Sequence, residues 1–183
     1  HSTLDAVLSG LTTTSVVAAF IGTATFTGDL GKAVVTISDT STMTLSSTTM
    51  GTASFVVESG SILYGSILLL SGVSSNGLGS THIPDLEVDL NADLSNLNTP
   101  LVYVDFKVDG TFTGNLGKAI VLIRNSNTMT LSGTTMGTSS FVLGNNSNLI
   151  SRRTLLNGIT TSDDGNNNIH ITDIHLVLAV DLS

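Results

Sequence analysis

Residues Thr25–Leu63 align with Thr111–Leu149 without a gap, and 25 of these 39 pairs are identical. The strongest stretches are TFTGDLGKAVV against TFTGNLGKAIV and TMTLSSTTMGTASFV against TMTLSGTTMGTSSFV. The offset between them is 86 residues, and at an offset of 88 the match resumes with His82–Ser95 against His170–Ser183. Internal repetition of this kind governs the whole architecture of a chain. The 183 residues therefore divide into two related modules, 1–95 and 96–183, joined through Asn96-Leu97-Asn98-Thr99-Pro100. Pro100 disfavours helix in the residue before it. A junction motif occurs three times, as HSTLDAVLS (1–9), EVDLNADLS (87–95) and HLVLAVDLS (175–183), so residues 1–9 read as an N-terminal extension of the first module.

Leu101–Val108 and Asp85–Leu94 alternate apolar and polar residues, the period-two pattern of half-buried strands. Val, Ile, Thr and Phe enrichment extends the strand reading to Val16–Ile21, Thr23–Thr27, Lys32–Ser38, Thr42–Ser46, Thr52–Glu58, Ser61–Leu70 and Ile83–Leu94. Asn76-Gly77 and Asn157-Gly158 are turn signals. A capped turn at Ser2–Leu8, ending at Gly10, is the one helical segment considered. Seven short strands in under 90 residues predict an all-β chain of two tandem Ig-like or jelly-roll β-sandwich modules.

Charged residues make up 11% of the chain, against about 25% in an ordinary soluble domain. Hydroxyl and amide side chains must cover the surface, which suits glycosylation or burial in an assembly. A net charge of −8, with Arg152-Arg153 the one basic cluster, argues against nucleic acid and anionic membranes as partners. No apolar run approaches the roughly 20 residues of a membrane span. Cysteine is absent, which excludes disulfides and thiolate metal sites. The start at His1 reads as a processed chain whose export signal has been removed, which predicts an extracellular or cell-surface location.

The duplication supplies its own control, because equivalent positions should face the same way. Tyr103, Asp105 and Lys107 of the second copy correspond to Val17, Ala19 and Ile21 of the first. Glu87, Asp89 and Asn91 of the first copy correspond to His175, Val177 and Ala179 of the second, with Val180 following. The outermost strands are thus apolar on both faces, which calls for cover on both faces. Exposed, such strands invite aggregation. Charge divides unevenly too: residues 1–95 hold one Lys and eight acids (net −7), and residues 96–183 hold five bases and six acids (net −1). These features predict a head-to-tail homopolymer in which terminal strands are buried or donated, with Val17, Ala19, Ile21, His175, Val177, Ala179 and Val180 at the subunit interface. On Val16–Ile21, Leu176–Val180 and the strand-like ends His1–Ser9 and His175–Ser183, the chain resembles secreted β-sandwich subunits of biofilm fibres and archaeal surface threads. That resemblance implies a pilus-like structural subunit joined by donor-strand complementation. An adhesin that binds glycans through Thr- and Asn-rich loops is the alternative expectation.

Candidate chemistry is sparse. His1, with a free α-amine and His82, His170 or His175 as a second ligand, offers nitrogen ligation of the type Cu(II) favours. The arrangement is similar to that of lytic polysaccharide monooxygenases, which would imply a copper oxidoreductase. The absence of Trp and the presence of only two Tyr leave little aromatic surface for that role. Asp163-Asp164-Gly165-Asn166-Asn167-Asn168 has oxygens enough for Ca²⁺, but it lacks EF-hand spacing and reads as a solvated hairpin loop. The paired motifs His82-Ile83-Pro84-Asp85 and His170-Ile171-Thr172-Asp173 fit a strand-entry contact better than an active centre. In TGxLGK the residues after Lys32 and Lys118 are strand formers, so no phosphate loop is expected. Asn145-Asn146-Ser147 is the one N-glycosylation sequon. The sequence therefore predicts no enzyme and no cofactor.

Overall fold

A computed structural model describes residues 2–85, 89–151, 160–163 and 168–171. The strands are β1 (Ser2–Val7), β2 (Val16–Asp29), β3 (Ala33–Thr49), β4 (Ser54–Val57), β5 (Ile62–Tyr64), β6 (Ser74–Gly77), β7 (Ser80–Asp85), β8 (Asp89–Asp93), β9 (Leu101–Phe106), β10 (Gly110–Asn115), β11 (Ile120–Ile123), β12 (Thr128–Thr135), β13 (Ser140–Leu143), β14 (Asn148–Ser151), β15 (Thr160–Asp163) and β16 (Asn168–Ile171). A single turn of helix, α1 (Ile67–Leu70), stands between β5 and β6. Among the described residues no helix is long and apolar enough to cross a membrane.

The expectation of Ig-like or jelly-roll sandwiches is overturned. Among the described residues every strand pairing is parallel, and the partners lie 17 to 22 residues apart. A sandwich is built from antiparallel hairpins. Parallel neighbours need a crossover of a dozen residues or more, and here the rest of each coil is that crossover. The chain winds into a β-solenoid of stacked coils. One sheet runs in the order β1-β2-β3-β5-β7-β9-β11-β13-β15, with β4 on β3 and β6 on β4, and a second runs β16-β14-β12-β10-β8. The long sheet crosses the junction between the two copies, since β7 pairs with β9 in register from Ser80↔Leu101 to Asp85↔Phe106. Leu97 and Thr99 of the junction segment are fully buried.

Alternation places the core. In β3, Ala33, Val35, Ile37, Met43 and Leu45 point inward and are buried. Each inward residue rests on an inward residue of the next coil: Val35 on Phe55, Met43 on Leu63, Val121 on Phe141, Met129 on Leu149. Corners close by backbone bonds between residues three apart, as in Ala33 N–H to Leu30 C=O (3.0 Å) and Ala119 N–H to Leu116 C=O (3.0 Å). The LGK and MGT corners lie directly on one another. The Thr52 N–H donates to the Gly31 carbonyl (2.7 Å) and the Thr138 N–H to the Gly117 carbonyl (2.7 Å). A Cβ at Gly51 or Gly137 would collide with those carbonyls, and both residues also have positive φ (57° and 58°). That corner is the structural meaning of the Gly-Lys and Gly-Thr pairs.

Local expectations change with the architecture. Ser2–Leu8 is not a helical turn, because Ser2–Val7 forms β1 on Ala24–Asp29. Asn76-Gly77 is not a hairpin but the end of β6, where Gly77 has φ 106° and lies against the Val57 carbonyl. Ser61–Leu70 is divided into β5 and α1. Asn157-Gly158 lies outside the described residues.

Candidate functional site

Two places on the solenoid carry features that folding alone does not require. The first is its N-terminal end. β1 covers only the Ala24–Asp29 half of β2, so Val16–Ile21 pairs with β3 on one side and with no described strand on the other. Val16 and Phe20 point into the core, while Val17 and Ile21 are 72% and 69% exposed. Ala19 is exposed between them. Val7, Leu4 and Leu11 are exposed nearby. A hollow of about 140 Å³, lined by Leu4, Ala6, Leu8, Ala18, Phe20 and Phe26 among others, opens the core at this end.

The second copy shows the same strand position under other conditions. β9, the equivalent of Val16–Ile21, has β7 on one edge and β11 on the other. Its outward residues are Leu101, which is 42% exposed, then Tyr103 and Asp105, followed by Lys107. Polarity at these positions thus differs between the strand with one described neighbour and the strand with two.

The second place is a groove of about 290 Å³ on the side of the solenoid, lined by Tyr64, His82, Ile83, Pro84, Tyr103, Asp105, Lys107 and Arg124. Register sets its geometry. Tyr64 pairs with His82 and His82 with Tyr103 in successive coils, so the three rings form a column with centroids 5.1 and 5.0 Å apart, tilted by 44° and 49°. Burial in this column holds the His82 imidazole below its usual pKa and favours the neutral ring. One step along, Asp105 accepts two hydrogen bonds from Arg124, Nε at 2.6 Å and Nη2 at 2.8 Å. That bonding, and secondarily the carboxylate's charge, raise the Arg124 guanidinium further above its ordinary range. The Lys107 Nζ stands 3.8 Å from the same carboxylate.

Sequence reasoning did not assemble this groove. Its signal is spacing: Tyr64 to His82 is 18 residues, His82 to Tyr103 is 21, and Asp105 to Arg124 is 19, each one coil.

Of the residues proposed from sequence, Val17, Ala19 and Ile21 share the outward face of β2 at the open end. His175, Val177, Ala179 and Val180 lie outside the described residues, as do the metal candidates His1 and Asp164. Asp163 ends β15 and His170 lies in β16, but their side chains are outside the described set. His82 is held between two tyrosine rings. Among the described residues no group of three or more His, Asp or Glu stands close enough together to hold a metal ion. No protein-family model matches the chain, and no curated protein or solved structure matches it either.

Proposed function

We propose that this chain is a structural segment of an extracellular filament or surface layer, a β-solenoid that joins end to end with further copies through its first coil. The observation that carries the reading is the contrast between equivalent strands. Where the strand has neighbours on both edges, the matching outward positions are Tyr103, Asp105 and Lys107, with Leu101 the one apolar residue on that face. Where it has one, at Val16–Ile21, it is apolar outside and lies beside an unfilled core. A bare strand edge is a template for another chain, and soluble proteins ordinarily blunt such edges with charge. This one carries Val17, Ala19 and Ile21 instead.

A coil of a neighbouring copy laid on this end continues the ladders by main-chain hydrogen bonds and roofs the hollow beneath Leu4 and Phe20. The opposing segment is the one carrying His175, Val177, Ala179 and Val180. Through the junction motif it aligns with the stretches that hold β1 and β8, identical at four of nine positions in each, and both of those strands pair with a TFTG strand in one register: Leu4 with Phe26 and Leu90 with Phe112. Such a contact joins unlike surfaces, so it propagates into an open filament unless its rotation closes a ring. The role asks for no catalytic group and no cofactor.

Sedimentation and electron microscopy of the purified chain at neutral pH test the reading. The unmodified chain should form filaments, and the double substitution Val17→Lys with Ile21→Lys should leave short soluble species with an unchanged β-type circular dichroism spectrum. A monodisperse monomer of the unmodified chain at high concentration overturns the proposal.

A further inference from the structure

The lateral groove brings together two of the chain's few cations. The chain has six Lys and Arg residues and a net charge of −8, yet Lys107 and Arg124 meet in this one groove beside a single described carboxylate, Asp105. Asp105 orients the guanidinium through two of its five N–H donors, which leaves three, and Lys107 sits beyond hydrogen-bond distance of the carboxylate with its own three. Beside these cations the column of Tyr64, His82 and Tyr103 supplies two phenolic hydroxyls, a ring that desolvation favours as neutral, and aromatic carbon surface. In the next coil the positions paired with Tyr103 and Asp105 are Ile120 and Leu122, so Arg124 is that coil's polar contribution to the lining. The volume lies just below the range for small-molecule sites, about 300–1,000 Å³, and suits one sugar ring at a time.

We infer that this groove binds a carboxylate-bearing sugar unit of an acidic polysaccharide, with the carboxylate on Lys107 and Arg124 and the sugar hydroxyls and ring face on Tyr64, His82 and Tyr103. An oriented guanidinium recognises a planar carboxylate through parallel N–H bonds, and a lysine adds a point charge. Tyrosines combine apolar area with a hydrogen-bonding tip, the pairing a sugar presents in mirror image. The groove stands on coils between Tyr64 and Arg124, clear of the first coil, so binding does not depend on end-to-end assembly.

Calorimetric titration of the full chain with a galacturonic acid trimer tests this. The neutral trimer of galactose and inorganic phosphate serve as separate arms. Saturable binding of the acidic trimer is expected, weakening as salt rises and falling about tenfold or more in Lys107→Ala, whose exposed side chain can be removed without touching the core. Tyr103→Phe, which keeps the ring column and removes one hydroxyl, should also weaken it. Equal binding of the neutral trimer overturns the acidic assignment. Phosphate binding as tight as the sugar reduces the groove to a general anion site and overturns the saccharide assignment. No binding of the acidic trimer at millimolar concentration, or binding untouched by Lys107→Ala, overturns the proposal outright.

Discussion

Gly137 and Gly133 sit four residues apart on the same coil with nearly the same φ, 58° and 60°. Their surroundings differ completely. A Cβ on Gly137 meets the carbonyl of Gly117 in the coil beneath, whereas a Cβ on Gly133 meets nothing within 4 Å. The pair therefore separates the cost of a left-handed backbone from the cost of coil-on-coil approach. Gly133→Ala should lose only the conformational term, about 1–2 kcal/mol. Gly137→Ala should lose clearly more, because relief requires the two corners to part and the Thr138–Gly117 hydrogen bond of 2.7 Å to lengthen. Urea unfolding of both variants checks this, and equal losses would mean that the corners do not bear on one another as described.

At the scale of strands, the inward columns bind one coil to the next, and the duplication again provides a comparison. Phe112 lies between Leu90 of β8 and Leu131 of β12, all three buried. Phe26 holds the same place between Leu4 and Leu45, but Leu4 is 47% exposed. Phe112→Ala should cost roughly 3–5 kcal/mol, since its cavity is enclosed above and below. Phe26→Ala in the dispersed chain should cost less, because water and a shifting β1 can fill the gap. In assembled material the difference should shrink, and melting both variants in both states measures it. Strands of this kind were legible from Val, Ile, Thr and Phe enrichment: Val16–Ile21, Lys32–Ser38 and Thr52–Glu58 all contain observed strand. Their partners were not. Parallel stacking asks only that one apolar side chain rest on another, so Val35 meets Phe55, Ile37 meets Val57, and the coil leaves little identity to detect. The duplication at 86 residues, about four coils, is the louder signal and hides the shorter one. The groove was illegible for the same reason: its rings and charges come from successive coils on both sides of the copy boundary, and only the coil spacing connects Tyr64 with Arg124.

At the scale of the molecule, a solenoid is close to one-dimensional: each coil touches mainly its neighbours, and stability is a sum of coil and interface contributions. A whole coil is therefore a removable unit, whereas half a coil is not. Val34 pairs with Ser54 and Ile37 with Val57, a displacement of 20 residues. Excising residues 34–53 joins Leu30-Gly31-Lys32-Ala33 to Ser54-Phe55-Val56-Val57, which reproduces the Met50-Gly51-Thr52-Ala53 approach to the same strand. Inward positions stay inward, the Leu30 corner replaces the Met50 corner, and β2 gains the β4 and β5 coil as its neighbour. The shortened chain should keep the same β-type spectrum per residue and a cooperative melt. Excising residues 34–43 instead removes half a circuit, so the chain can no longer return to the same side of the coil after Ala33. That deletion should leave a poorly folded or aggregating product. A pair of antiparallel sandwiches would treat the two deletions alike, since each would destroy strands of the first module. Circular dichroism and limited proteolysis of the two products thus weigh the coil against every hairpin-based alternative, and an unfolded 34–53 deletion would remove the basis for treating the coil as the unit of this fold.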